Sequence, residues 1–292
     1  MIEHDPKKWF SLPYRFHRSD TLRRLFPWII GVCAYSAFVA WLELEYWNLS
    51  ADSKVRNIPT LHTLLGFVIS FVLVFRTNTA YERWWEGRRL WGALVNNSRN
   101  LAMKLATMLP EGDPQRAFFR HIIPAYAVVL KNHLRSEDTR IELFDNLAPS
   151  VQEKLDLEKH LPNQVAALMY RQVQELRRAD KLTDQQLLYL NTELQSFTDI
   201  CGGCERIRNT PIPYSYSVFI KKFVMVYVAT LPFGFVFTLG YYVVPIVGFI
   251  FYVLASLELI AEEIEEPFGG DENDLPLERI ARSIGSHIDE LI

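Results

Sequence analysis

The chain has 292 residues, enough for one large domain or two smaller ones. Hydrophobic residues make up 49% of the sequence and charged residues 22%, so a mean hydropathy of +0.02 conceals apolar residues that are clustered. The net charge of −3 gives no indication of a nucleic-acid partner. The three cysteines, Cys33, Cys201 and Cys204, are too few for a secreted disulfide framework and indicate a reducing compartment.

The apolar residues gather in three uncharged runs. The runs at residues 25–42 and 58–75 are each about as long as a helix that crosses a bilayer. No small-residue cleavage site follows the first run, which predicts a membrane anchor and not a removed signal peptide. The run at residues 223–257 would form a helix of roughly 52 Å, which is too long for a single crossing.

Gly240 and Pro245 lie in the middle of this third run, so we interpret it as a hairpin of helices near residues 218–239 and 244–265. The sequence then predicts four membrane spans with both termini on one side. Lysine and arginine residues cluster before the first span, after the second and before the third. By the positive-inside rule, both termini and the segment between spans two and three are cytoplasmic, as in a multi-pass protein of the cell inner membrane.

The remaining segments are also predicted to be helical. No proline occurs between Pro59 and Pro110, so one continuous helix can extend from the second span into the segment that follows. Apolar residues recur at helical spacing over residues 115–135, 163–178 and 183–200, and no strand alternation is found. These patterns predict an all-α protein with about equal membrane and cytoplasmic shares.

Local signals refine this organisation. Thr183 and Gln186 match a capping box at the start of the third of these helices, and Gly202–Gly203 is expected to end it. The predicted domains are an arm with the first two spans and the start of the second helix's cytoplasmic extension (1–97), a helical cytoplasmic domain (98–217), a membrane hairpin (218–265) and an acidic C-terminal segment (266–292).

Motifs for catalysis or metal binding are scarce. The CGGC at residues 201–204 offers two thiolates, whereas a structural zinc site takes about four ligands, and the histidines show no ligand spacing. A redox role would need a βαβ context, so a glycine-rich helix terminus with buried thiols is the favoured interpretation. No nucleophile elbow, phosphate loop or HExxH motif occurs, and the sequence gives no support for an enzyme.

Two further polar features have both a functional and a structural interpretation. His62 lies in the second span, either as an ionisable intramembrane group with a function or as a hydrated residue near the outer interface. The acidic segment 262–278 follows the last span, and closely spaced carboxylates suit Ca²⁺. Because the segment lacks EF-hand spacing and charge runs are usually solvated, the residues alone favour a solvated acidic turn.

Three phenylalanines at every fourth position, Phe67, Phe71 and Phe75, share one face of the second span. Gly66 and Ser70 provide a small-residue surface for close helix packing. Such a stripe most often packs in a bundle core or against lipid. The functional alternative is a pore, in which symmetric copies of this helix stack phenylalanine rings around one axis and form a hydrophobic constriction.

Three motifs carry a resemblance to a known family. They are GFVISFVLVFRTNTAYERWWEGRRLWG at residues 66–92, CGGCERIRNTPIPYSYS at 201–217 and IAEEIEEPFGGDENDLPL at 260–277. The first resembles the second membrane helix of bestrophins, in particular of their bacterial branch. The other two resemble further bestrophin segments in the same order, so the resemblance extends over nearly the whole chain.

This resemblance implies a homopentameric ion channel of four-span subunits around one axial pore lined by the second helix of each subunit. The neck residues of the family correspond to Phe67, Phe71 and Phe75. A second, cytoplasmic aperture in the family comes from the chain just before the third span, which here is near Ile207.

Eukaryotic bestrophins hold Ca²⁺ in a clasp at their PFG segment. The matching positions here are Asp271 and Asp274, with Glu266 at a position that supplies a backbone carbonyl. Glu272 and Asn273 interrupt the aspartate run of those members, and some bacterial relatives lack the clasp. The resemblance therefore leaves Ca²⁺ binding open, and no cofactor is expected to be required.

The functional prediction is passive conduction of small monovalent ions by a homopentamer in a lipid bilayer. Chloride is favoured, because phenylalanines packed between neighbouring subunits tend to present their positive ring edges to the axis. A sodium channel of the same architecture is the first alternative. The alternative from another class is a membrane-anchored scaffold or sensor that does not conduct.

Overall fold

The computed structural model describes residues 21–47, 58–136 and 154–292. Most of the basic N-terminal arm and the basic residues between the first two spans lie outside these ranges. The described residues form helices and no strands, which confirms the all-α prediction for them. The helices are α1 (Thr21–Trp41), α2 (Ile58–Met108), α3 (Pro114–Arg135), α4 (Leu161–Arg178), α5 (Asp184–Asn209), α6 (Tyr214–Leu239), α7 (Val243–Glu265) and α8 (Leu277–Leu291).

Packing divides the chain into two units, each with its own hydrophobic core. The apolar unit contains α1, the part of α2 up to Glu82, and Ile212–Glu265. The polar unit contains Arg83–Pro211 and Glu266–Ile292. Helix α2 contributes to both cores and runs for 51 residues without a break, as the absence of proline predicted. The four-part domain division made from the sequence stays a prediction.

Three stretches of the described chain are long and apolar enough to cross a membrane, namely Thr21–Tyr46, Pro59–Met108 and Tyr214–Glu265. The third consists of α6 and α7, joined by a 3-10 turn at Gly240–Tyr242. Gly240 has a φ of 55°, a backbone conformation that favours glycine. Lys221 near the start of α6 contacts Glu262 near the end of α7 at 3.0 Å, so the two helices are antiparallel, as a hairpin requires.

The core of the apolar unit is built from one face each of α2, α6 and α7. Ile69 and Leu73 of α2 are 1% and 2% exposed. Helix α1 packs closely against α7 because residue 248 is glycine: a Cβ there would lie 2.5 Å from the Cys33 sulfur. The burial of Ile69 and Leu73 shows which face of α2 points into the unit.

The polar unit surrounds a larger core formed by the second part of α2 with α3, α4, α5 and α8. Trp91 of α2 and Tyr126 of α3 are among its fully buried side chains. The Tyr126 hydroxyl donates a 2.6 Å hydrogen bond to the Phe197 carbonyl and so avoids an unpaired buried polar group. The capping box at Thr183 and Gln186 is present as predicted.

The predicted end of α5 at Gly202–Gly203 is wrong, because the helix continues through both glycines to Asn209. A Cβ at residue 203 would lie 3.0 Å from the methyl carbons of Leu90, so this glycine allows α5 to approach α2 closely. A glycine costs a helix only about 1 kcal/mol, which the packing of two buried helices offsets. The predicted burial of Cys201 and Cys204 is correct.

Candidate functional site

The phenylalanine stripe lies on the outer face of α2. Phe67, Phe71 and Phe75 are 70%, 57% and 52% exposed, while Ile69 and Leu73, between them in sequence, are buried in the core of the apolar unit. This alternation follows from the helical period, which turns successive residues by about 100°. Packing within the core of one subunit is thereby excluded, and the stripe is available to lipid or to other copies of the chain.

The three rings contact each other along the helix. The Phe67 and Phe71 centroids are 6.3 Å apart with ring planes 17° from parallel. The Phe71 and Phe75 centroids are 4.7 Å apart with planes at 84°. Exposed Thr63 and Thr79 continue the same face at its two ends, with each hydroxyl bonded to the carbonyl four residues earlier. The stripe therefore ends in polar side chains on both sides.

Arg76, the residue after the stripe, turns inward and is 1% exposed. Its Nη2 lies 2.7 Å from Glu265 and its Nε lies 3.5 Å from Glu258, both on α7. The other Glu265 oxygen accepts a 2.7 Å hydrogen bond from the backbone N–H of Ile212. One buried guanidinium thus holds α2, α7 and the start of the α6 segment together. Sequence reasoning missed this network.

His62 is buried at 2% exposure, so it is not hydrated within the subunit. Its Nε2 lies 3.0 Å from the Thr230 hydroxyl of α6, and its ring contacts Tyr227 and Phe235. The histidine therefore packs as a bonded core residue between α2 and α6. An open cavity of about 570 Å³ lies nearby on the outer side of α2, lined by Thr63, Phe67 and Phe235 among others.

The acidic loop between α7 and α8 brings the three predicted Ca²⁺ positions together. Asp274 is 2% exposed, and its Oδ2 accepts a 2.6 Å hydrogen bond from the Asp271 N–H. A Cβ on Gly269 would lie 2.8 Å from that Oδ2 and 3.7 Å from the Glu266 carbonyl oxygen, so the carboxylate and the carbonyl face the same point. Burial raises the pKa of Asp274 to about 6.

The donor set of this loop fits a hard cation. Oδ1 of Asp274 is buried and has no hydrogen-bond partner among the described residues. A buried carboxylate oxygen without a partner is costly, and a bound cation would satisfy it. Trp84 donates to the Asn273 carbonyl at 3.1 Å and fastens the loop to α2.

Ile207, predicted to lie near a cytoplasmic aperture, is 3% exposed and packs in the core of the polar unit. Its carbonyl accepts a 2.6 Å hydrogen bond from Arg83. An aperture residue must present its side chain outside its own subunit, so this burial counts against Ile207 itself. The assignment of a second aperture stays a prediction.

The two CGGC thiols are buried and free. Burial raises the pKa of the Cys201 thiol to about 12 and also raises that of Cys204. Thiols in this state are neither nucleophiles nor ready metal ligands. They pack as small apolar side chains, as the favoured interpretation of the motif held.

Comparison with known proteins decides the family. A family profile described as Bacterial/Fungal Bestrophin protein matches residues 1–290. The chain belongs to the bestrophin family. It is similar to a solved bacterial bestrophin homolog from Klebsiella pneumoniae, with a TM-score of 0.83, 28% identity, and coverage of 92% of this chain and 98% of the other.

Several related bacterial proteins carry a functional description. This bestrophin is 34% identical to a voltage-dependent anion channel-forming protein from Nostoc sp. over 98% of this chain and 92% of the relative. It is 35% identical to a protein of the same description from Synechocystis sp., again over 98% and 92%. Together with its apolar helices, these matches make the chain an integral membrane protein.

Proposed function

We propose that this bestrophin is an anion channel of five identical subunits, with Phe67, Phe71 and Phe75 forming the neck of one axial pore and chloride as the favoured ion. The observation that carries the proposal is the exposure of all three phenylalanines on a helix whose opposite face is fully buried. Around a symmetry axis the three residues would form stacked hydrophobic rings, a constriction that gates by dewetting.

The polar ends of the stripe support a pore over a lipid contact. Thr63 and Thr79 are exposed at the two ends of the stripe, and a conduit needs water at both ends of its hydrophobic constriction. Relatives described as anion channel-forming proteins supply the ion class.

The proposed arrangement has α1, α2, α6 and α7 as four spans in a cell inner membrane, with both termini cytoplasmic. Positive charge before the first span and after the second supports this orientation. The polar unit, which includes the part of α2 from Arg83 onward, is then cytoplasmic. In the acidic loop, Asp271, Asp274 and the Glu266 carbonyl would hold Ca²⁺.

A sodium channel of the same architecture is the second candidate. Its support comes from the rings themselves: Phe67 and Phe71 are nearly parallel while Phe75 is perpendicular to Phe71. Ring edges carry partial positive charge and faces partial negative charge. The three rings therefore do not share one orientation, and a ring face turned to the axis would favour a cation.

Reconstitution in planar bilayers with asymmetric NaCl tests the ion. A reversal potential that moves toward the chloride equilibrium potential supports the anion channel, and one that moves toward the sodium potential replaces it with the second candidate. Absence of any conductance, together with a stable monomer in detergent, would favour a scaffold or sensor.

Alanine at Phe67, Phe71 and Phe75 tests the neck. We expect larger currents with weaker gating and selectivity, because the hydrophobic constriction is widened. Phe249→Ala is the matched control, since Phe249 of α7 is 65% exposed in the same unit but lies off the stripe. Unchanged gating and selectivity in the triple variant would move the pore away from this face.

A further inference from the structure

Within the polar unit, two histidines and a glutamate from three different helices converge on one point. His133 lies in the last turn of α3, His160 precedes α4, and Glu205 lies on α5. The Nε2 atoms of His133 and His160 are each 2.6 Å from the same Glu205 oxygen, Oε1. The two imidazole rings are 4.6 Å apart between centroids.

We propose that His133, His160 and Glu205 form a binding site for a borderline transition-metal ion, with Zn²⁺ the ion that best fits. The three ligand atoms lie within 4.8 Å of one another, and no other set of three histidine, cysteine or acidic residues in the described chain meets this condition. Two imidazole nitrogens with one carboxylate oxygen are a ligand set that zinc uses, with a fourth position left to water.

The surroundings hold the ligands in place while leaving access for an ion. The three side chains are between 27% and 34% exposed. Two of the three backbones that carry them are anchored in the core, since Leu134 and Cys204, beside His133 and Glu205 in sequence, are 3% and 0% exposed. Pre-positioned ligands on rigid elements reduce the entropic cost of binding.

Glu205 is ready to act as a ligand. Burial opposes its ionisation, but hydrogen bonds from His160 and His133 outweigh this and keep its pKa below the usual range. The guanidinium of Arg208, the neighbouring basic residue, donates hydrogen bonds to the His133 carbonyl and the Ser136 hydroxyl.

Metal entry requires two small changes. Ligands at about 2.0 Å from a tetrahedral zinc ion lie about 3.3 Å from one another, so the 2.6 Å nitrogen–oxygen contacts must open by about 0.7 Å. The Nε2 protons must also leave, with each ring protonated on Nδ1 instead. At His160, Nδ1 accepts a 3.2 Å hydrogen bond from the Asn163 N–H, and losing this helix cap weakens binding by about fivefold.

The test is a Zn²⁺ titration of the full chain in detergent, after tag removal and chelator treatment, against a competing chromophoric chelator. We expect one site with a dissociation constant of about 10 μM or tighter. His133→Gln and Glu205→Gln should each weaken it at least tenfold. His160→Asn should do the same while keeping the cap, because asparagine is a preferred N-cap residue. Millimolar-range Ca²⁺ or Mg²⁺ should not compete, since these ions prefer oxygen ligands.

Two controls separate this site from the rest of the chain. His121→Gln removes another α3 histidine, and Asp271→Asn with Asp274→Asn disables the acidic loop; both variants should bind Zn²⁺ within twofold of wild type. X-ray absorption at the zinc edge should show two imidazoles and a carboxylate. Absence of saturable binding in the wild type would overturn the proposal. So would unchanged affinity in Glu205→Gln and His160→Asn variants that elute and melt like the wild type without metal.

Discussion

Replacing Arg76 by methionine should strongly destabilise the apolar unit. The change removes the guanidinium that Glu258 and Glu265 share, and the side chains of these glutamates are 7% and 14% exposed. Removing one partner of a buried ion pair typically costs about 3–5 kcal/mol, because the remaining charge stays buried and uncompensated. For a chain of this size that corresponds to a fall of roughly 10 °C in the unfolding midpoint.

The assay is thermal unfolding in detergent at pH 7.5, followed by tryptophan fluorescence at one fixed scan rate. Lys221→Met is the matched control, because Lys221 and Glu262 pair on the same unit but are 49% and 52% exposed, and such pairs contribute only about 0–1 kcal/mol. Arg76→Lys should fall between, since an ammonium cannot reproduce the two directed contacts of the guanidinium.

A triple variant checks the reasoning from the opposite direction. Combining Arg76→Met with Glu258→Gln and Glu265→Gln removes the charges of all three described partners and should recover much of the lost stability, although each single change is destabilising. A midpoint for Arg76→Met within 1–2 °C (about one measurement error) of wild type would refute the account. A loss equal to that of Lys221→Met would refute it as well.

Three further predictions concern the polar unit. The pKa of Asp274 is raised in the folded state to about 6 from an ordinary value of 3.8. The cost of burying its ionised carboxylate is therefore absent below about pH 4 and complete above about pH 6. Without Ca²⁺, Asp274→Asn should raise the unfolding midpoint at pH 7.5 but not at pH 4. Added Ca²⁺ should raise the midpoint of the wild type and not of this variant. Tyr126→Phe, which removes the bond to the Phe197 carbonyl, should cost about 1–2 kcal/mol in denaturant titration, while the same change at exposed Tyr189 should be near neutral. Thr183→Ala should cost about 1 kcal/mol by removing the capping box, and a serine at this position should restore it.

The sequence predicted those features that depend on neighbours along the chain. The unbroken α2, the turn at Gly240 and the cap at Thr183 each follow from local backbone chemistry. The prediction that α5 ends at Gly202–Gly203 failed because glycine was interpreted as a helix stop signal. Residue 203 is a glycine because Leu90 packs closely against it and leaves no room for a side chain.

Long-range polar pairs were beyond the reach of sequence patterns. Arg76 and Glu258 are separated by 182 positions, and His133 and Glu205 by 72. Neither pair lies on one helix face, so no periodicity links its members, and only the packing of separate helices brings them together. The inward turn of Arg76 directly after three exposed phenylalanines was hidden for the same reason.

The burial of Cys201 and Cys204 has a consequence for labelling chemistry. At 1% and 0% exposure and with raised pKa values, these thiols should resist maleimides and methanethiosulfonates. Cys33 is the one cysteine with intermediate exposure. Replacing Cys33 with serine would give a background without a reactive thiol. A single cysteine introduced at Phe71 in that background would report whether water reaches this face of α2. No other substitution in the chain would be needed.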